Sequence, residues 1–458
     1  MRFKTTIILG IIFAGLIAFV YQYEIKGGLE RRAAEAKLKG VFRFAPEEVA
    51  RITLRNQNER IVCAKTPDDR WEILEPIRTE ADQKAVDNLV DGLMHAEVAR
   101  VIADEEELTE GETRLSDYGL DAPALRVHVQ LNSGSLDTLF LGDENPTGTY
   151  TFARKAGESE VFMLDAWRSD FAKKSVYDLR SKKLISFDRD SVNKVVMDRR
   201  VDRIVARKEG RDWRLEEPLD AKGDRETIND LLIKLATGQA ADFVDETSED
   251  LGKYGMERPA LDLALWVGAE QTKRQLMVGD PHDAHYYAKD ASKPPVFLVD
   301  SSLVAHMKRD LFEFRDKTIS QFRRDDMDKV AFIYGDTTLV CQRDTADTWV
   351  MREPEQRPAQ SWKIRNALFD IGTLKAKEFV SDPATDLSQY GLAKPWMTIR
   401  VWQEGKLLVE LLLGKQKDNM VYVKTKDRDF VYRINQSSLE RFALKWDDIV
   451  QEEEKEKT

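Results

Sequence analysis

Apolar and polar residues alternate at Leu125, Val127, Val129 and Leu131 against Arg126, His128 and Gln130, and the same beat returns at Leu261, Leu263, Leu265 and Val267 and at Met397, Ile399 and Val401. A period of two puts every second side chain on one face, so these stretches predict half-buried strands. Elsewhere the period lengthens. Val86, Leu89, Val90, Leu93 and Met94, then Ile228, Leu231, Leu232 and Leu235, then Ile364, Leu368, Ile371 and Leu374 fall at three- and four-residue steps, which predicts three amphipathic helices. Asp82, Asp224 and Ser361 stand where an N-cap oxygen would satisfy the first free N–H groups of each helix. Two or three strands precede each helix, as at Val49 to Leu54, Ile61 to Ala64 and Trp71 to Leu74, and a short helix such as Trp167 to Lys174 closes the segment.

These recurrences share a frame. WEILEP at Trp71 to Pro76, WRLEEP at Trp213 to Pro218 and WVMREP at Trp349 to Pro354 are spaced by 142 and 136 residues, and Tyr118, Tyr254 and Tyr390 of the following Y-G-x-x-x-P elements recur every 136. LFLGD ends at Asp143, LMVGD at Asp280 and LLLGK at Lys415. The six extra residues of the first copy fall in an acidic loop around Asp104 to Glu112, where an insertion costs little closure entropy. The expected fold is therefore α+β: three tandem units of about 135 residues at 41–180, 181–316 and 317–450, each a mainly antiparallel sheet with a packed helix. Repetition assigns fold roles to the landmarks, with the tryptophans as apolar area under the helix and the Tyr-Gly steps as tight turns.

One stretch obeys neither period. Thr5 to Tyr23 carries no charge and lies between Arg2 and Lys4 on one side and Glu24 and Lys26 on the other. At a helical rise its length spans about 28 Å, close to the hydrocarbon thickness of a bilayer. Residues 1–26 are thus expected to be an uncleaved transmembrane signal anchor, with residues 5–23 in lipid, 27–40 a stalk and 451–458 a disordered charged tail. Lys26, Arg31, Arg32, Lys37 and Lys39 outnumber Arg2 and Lys4, which by charge alone would keep the body in the cytoplasm. The short basic head before the apolar run favours the opposite: an inner-membrane, single-pass protein with its body outside, in the periplasm of the cell envelope.

Charge narrows the partners. The 458 residues include 82 acidic and 71 basic side chains, a net charge of −11, which opposes bulk affinity for nucleic-acid phosphates. Cys63 and Cys341 each lie eight residues before a repeat tryptophan and are expected as buried free thiols in equivalent strands. Asp280, His282, Asp283 and His285 form the one local cluster of metal-ligand types, with His282 and His285 as the candidate metal ligands. The matching loops of the other copies hold no histidine, so a variable hairpin turn is the competing reading. His95, His128 and His306 are isolated and expected on surfaces or helix faces, and no P-loop, G-x-S-x-G or H-E-x-x-H motif occurs, so no catalytic residue or cofactor is assigned. Trp266 and Trp402 share one repeat position opposite the apolar stripe, where the first copy has Gln130. Exposed there they would anchor a partner protein or glycan; a helix or neighbouring unit would otherwise cover them.

With the W-x4-P, Y-G-x-x-x-P and L-x-L-G-D frames and the DLR and FRD steps at Asp178 to Arg180 and Phe314 to Asp316, the chain resembles a bacterial family known as domain of unknown function 4340 from about Val41 to Val450. The third copy departs from the pattern with Lys415 in place of the Asp. The resemblance implies a membrane-anchored envelope protein often encoded beside a gliding-motility-type ABC transporter and its auxiliary subunit, with no catalytic residues to carry over. The expected function is a non-enzymatic interaction or scaffold arm, accessory to an ABC permease and its auxiliary subunit. The alternatives are a metal-dependent envelope hydrolase at His282 and His285 and a cell-wall glycan-binding protein using Trp266 and Trp402.

Overall fold

The computed structural model describes residues 40–56, 59–110, 114–166, 170–381 and 386–450. The expected anchor, all but the last residue of the stalk, the charged tail and residues 167–169 of the expected closing helix lie outside them. Among the described residues no helix is long and apolar enough to cross a membrane.

Hairpins build most of the first sheet. Its strands are β1 (Val49–Arg55), β2 (Arg60–Lys65), β3 (Trp71–Glu75), β4 (Thr79–Glu80), β5 (Arg100–Ala103), β6 (Leu125–Leu131), β7 (Leu136–Glu144), β8 (Tyr150–Lys155) and β9 (Val161–Asp165), in the order β4-β3-β2-β1-β6-β7-β8-β9-β5. Every neighbouring pair in it is antiparallel, with β1 between β2 and β6. Between β4 at one edge and β5 at the other runs helix α1 (Gln83–Met94), whose buried Val86, Leu89, Val90 and Leu93 close over one face of the sheet. Against them lie Ile52, Cys63, Trp71, Ile73, Val127, Val129, Leu139 and Leu164. The alternation at Leu125 to Leu131 thus marks one face turned to the helix and one turned away.

The same nine-stranded order recurs twice, from Val192–Arg199 to Val296–Asp300 around helix α2 (Arg225–Thr237) and from Lys329–Tyr334 to Val431–Asn435 around helix α3 (Ser361–Gly372). The fold is α+β with three repeats. In each copy the peptide before the W-x4-P proline is cis: Glu75–Pro76, Glu217–Pro218 and Glu353–Pro354. The described residues pack as two units, one up to Lys183 with Gln239–Phe243 and the other Leu184–Gly238 with the residues from Val244 onward.

Two expectations need correction. Asp82 and Asp224 cap their helices, accepting from the Ala85 and Thr227 N–H groups at 3.1 and 2.8 Å, but the third cap position is Gln360, which makes no side-chain cap bond. Ser361 is the first helical residue, and its hydroxyl instead accepts from the Trp349 N–H at 2.8 Å, as the Gln83 amide oxygen accepts from Trp71 at 2.7 Å. The acidic insertion is not simply a loop: Glu105–Glu110 is helical because the Asp104 carboxylate takes the N–H groups of Glu106 and Glu107 at 3.0 and 3.1 Å.

Each unit also shows how a copy ends. In the first, Arg180 bridges Ala81, and its guanidinium carbon lies 3.3 Å from the centre of the Phe243 ring. In the second, Arg315 bridges Gly223 and lies 3.8 Å from the centre of Phe379 and 4.7 Å from that of Phe430. Both arginines are buried. Val450, which bridges Ala359, takes the equivalent place in the third copy.

Candidate functional site

The repeat landmarks are consumed by packing. Gly119, Gly255 and Gly391 of the Tyr-Gly steps hold φ of 67, 70 and 71°, the left-handed region that glycine enters without strain. A Cβ on Gly142, Gly279 or Gly414 of the Leu-Gly steps would meet the carbonyl oxygen of Tyr118, Tyr254 or Tyr390 at 2.1, 1.9 or 2.2 Å. The two motifs are therefore one device, a turn laid across a strand that has no side chain at the crossing. The tyrosine rings then pack on Phe152, Tyr287 and Tyr422 with centroids 4.9, 5.0 and 5.2 Å apart. In the first copy this cluster, with Ala103, Leu120, Val161 and Phe140, covers part of the sheet face turned away from α1.

The remainder of that face is where the candidate residues fall. Trp266 pairs across strands with Lys194 and Lys273, whose ammonium groups lie 5.6 and 6.0 Å from its ring centre, and it packs on Val196, Val205 and Ala264. Trp402 pairs with Lys329, 4.9 Å from its ring centre, and with Leu407. Both indoles are half-buried, and residues of their own sheet are among their contacts.

His282 and His285 face each other in register across the turn of Asp283 and Ala284, with Asp283 at φ 51°. The turn brings the two imidazoles to one side of the hairpin and gives them no third ligand. His282 Nδ1 lies 3.0 Å from the Tyr287 hydroxyl, and Asp280 lies against Gly255 with a carboxylate oxygen 3.6 Å from the Arg200 guanidinium. Among the described residues no group of three or more His, Cys, Asp or Glu is placed to hold a metal ion. His95 caps the end of α1 and His306 lies in the helix Ser301–Met307, whereas His128 sits in β6, a half-buried strand residue rather than one on a helix. Cys63 and Cys341 are free and buried, and burial pushes both thiols up to about 12.

Two surface features escape the sequence reading. On α3, Trp362 and Phe369 are 61% and 53% exposed, opposite the buried Ile364, Leu368 and Ile371. Their seven-residue spacing away from the apolar stripe was the available signal. On the first sheet, Arg51, Arg55, Arg60 and His128 line a cleft of about 300 Å³. No sequence motif gathers these residues, since strand register does it.

Four stretches, 19–113, 71–212, 213–367 and 349–455, match the model of the family described as Domain of unknown function (DUF4340). The chain belongs to the DUF4340 family. Three of the matches begin at the repeat residues Trp71, Trp213 and Trp349. No curated protein matches the chain. Among solved structures it is similar to a DNA polymerase sliding clamp from Pseudomonas aeruginosa with ligand, at 8% identity over 86% of this chain and 93% of that one, with a TM-score of 0.13. The DNA polymerase III subunit beta from the same organism matches at 8% identity over 87% and 94%, with a TM-score of 0.15. Likenesses this low carry no argument about fold or function.

Proposed function

We propose that this DUF4340 protein is a non-enzymatic interaction arm, anchored in the inner membrane by residues 5–23, whose extracytoplasmic body serves an ABC-type transporter as an accessory. The observation that carries this reading is where the three copies agree and where they differ. At matched inward positions the residue class persists: Trp71, Trp213 and Trp349; Ile52, Val195 and Val330; Val129, Leu265 and Val401, all buried. At matched outward positions it breaks down: Gln130 stands against Trp266 and Trp402 on the strands, and Lys84, Glu226 and Trp362 differ from one another on the helices. One scaffold is thus filled alike and surfaced differently, the first copy standing apart on the strands and every copy on the helices, which suits a protein that offers different faces to different partners. The anchor is read from the apolar run at Thr5 to Tyr23, and the transporter from the context expected of the family.

Mild crosslinking in cells, detergent extraction of the tagged full-length chain and mass spectrometry of what accompanies it test the proposal. Recovery of an ABC permease and its auxiliary subunit supports it. Recovery of the chain alone contradicts it.

A further inference from the structure

Arg55 of β1 has Arg60 of β2 as its direct cross-strand partner on one side and Arg126 of β6 on the other. The row continues through Phe140 of β7 to Arg154 of β8, whose guanidinium carbon lies 5.4 Å from the Phe140 ring centre. Four arginines therefore share one line across five strands, on the face turned away from α1, with no carboxylate in the line. Like charges directly opposite one another destabilise an antiparallel pair. Arg60 is paired with Glu75, but among the described residues the side chains of Arg55 and Arg126 make no hydrogen bond or ion pair, and the Nε of Arg154 is buried without a hydrogen-bond partner.

The architecture does not require such a row. Its counterpart in the second sheet reads Arg203, Asp198, Asp262, Met277 and Lys289, two bases balanced by two acids. In the third sheet it reads Thr338, Ile333, Thr398, Leu412 and Lys424. Only the first copy concentrates positive charge here, and only there does the cleft lined by Arg51, Arg55, Arg60 and His128 lie beside it. His128 adds a polar wall, its Nδ1 being 2.8 Å from the Thr138 hydroxyl. Burial, then Arg126, Arg60 and Arg55, hold the imidazole below its ordinary pKa, so it faces the cleft largely neutral near pH 7.

We infer that this face of the first sheet binds a phosphoryl group carrying two or more negative charges, gripped by Arg55, Arg60 and Arg126. Guanidinium forks pair with phosphate oxygens two at a time, and a phosphate monoester or pyrophosphate offers several oxygens to several forks. A single carboxylate would leave most of the row's charge uncompensated. A soluble phosphate compound and a lipid phosphate headgroup present the same chemistry to this row.

The test titrates pyrophosphate into the full-length chain in a non-ionic detergent and follows heat and the His128 imidazole resonances. Saturable binding that raises the His128 pKa, and that weakens about tenfold or more in an Arg55→Gln, Arg126→Gln double variant, is expected. Arg203→Gln in the second sheet is expected to leave binding unchanged. Without ligand the double variant should unfold at the same or a higher temperature than the native chain, because it removes repulsion. Absence of saturable binding, binding indifferent to the double variant, or a lower unfolding temperature, which would mark the row as structural, would each overturn the inference. Repeating the titration in nanodiscs of phosphatidylcholine with and without phosphatidic acid separates the sources. Competition by phosphatidic acid assigns the site to a lipid headgroup, and its absence assigns it to a soluble phosphate.

Discussion

The carbonyl oxygen of Tyr254 lies 1.9 Å from where a Cβ on Gly279 would stand. That distance is far inside van der Waals contact, so strand and turn meet there only because residue 279 has no side chain. Gly279→Ala should push them apart and destabilise the second repeat by more than about 3 kcal/mol, the upper range for overpacking a tight site. Gly210→Ala is the control: its φ is 62° but nothing lies within 4 Å of the added carbon, so only the left-handed backbone term of about 1 kcal/mol applies. Urea unfolding of both variants reads the difference, and equal losses would contradict the interlock.

Arg315 is expected to hold the second and third repeats of its unit to one unfolding transition. Buried between Phe379 and Phe430, it is part of a segment whose neighbours Asp316 and Lys317 also bond to both sides: the Asp316 N–H to the Lys222 carbonyl at 2.9 Å and the Ala376 N–H to the Lys317 carbonyl at 2.7 Å. Arg315→Ala removes the stacked guanidinium and should cost about 2 kcal/mol, seen as a broadened or split denaturation curve by tryptophan fluorescence. A single transition with unchanged slope and midpoint would contradict this.

The thiols give a sharper test of the core. Because burial pushes Cys63 and Cys341 up to about 12, almost no thiolate exists at pH 8 in the folded chain. A thiol reagent should find neither cysteine in the native protein and both in urea. Rapid native labelling of either would contradict its placement between strand and helix.

Acid should weaken the second repeat in a definable window. The N–H groups of Thr247 and Ser248, at 2.9 and 3.1 Å, with the Tyr254 hydroxyl at 2.9 Å and the Lys253 ammonium at 3.1 Å, hold the Asp245 carboxyl well below the usual carboxylate range. The folded state then binds this proton less readily than the unfolded one. The stabilisation is complete above the unfolded value of about 4 and is lost as pH falls toward the depressed one. Asp245→Asn should lower the urea midpoint at pH 7, and the gap to the native chain should narrow by pH 3. A gap that widens on acidification would contradict the sign.

Much of this fold is legible in the sequence because both periods survive intact. The alternation at Leu261 to Val267 and the three- and four-residue steps from Ile228 to Leu235 name strand and helix, and they name the buried faces with them. The cap at Ser361 fails because a neighbouring strand competes for its hydroxyl, a contact no local pattern encodes. The far-edge position of β5 is also hidden, since a helix separates it from β4 in the chain while β9 takes it as a partner. The arginine row is the clearest case. Arg55 ends one strand and Arg60 begins the next, but Arg126 and Arg154 join them through pairings set by register, where a slip of one residue would move each side chain to the other face.

If the protein works as an interaction arm, its outward positions, less alike among the copies than its core, are the working surface. A photo-crosslinking amino acid placed in turn at Trp266, Trp402 and Trp362 of the full-length chain in cells, with Lys65 beside the first copy's tryptophan as a reference within the fold, addresses it directly. Adducts to permease or auxiliary-subunit peptides from at least one of the three outward positions, and none from Lys65, are the predicted result. Adducts only within the chain itself, or the same adducts from every position, would contradict it.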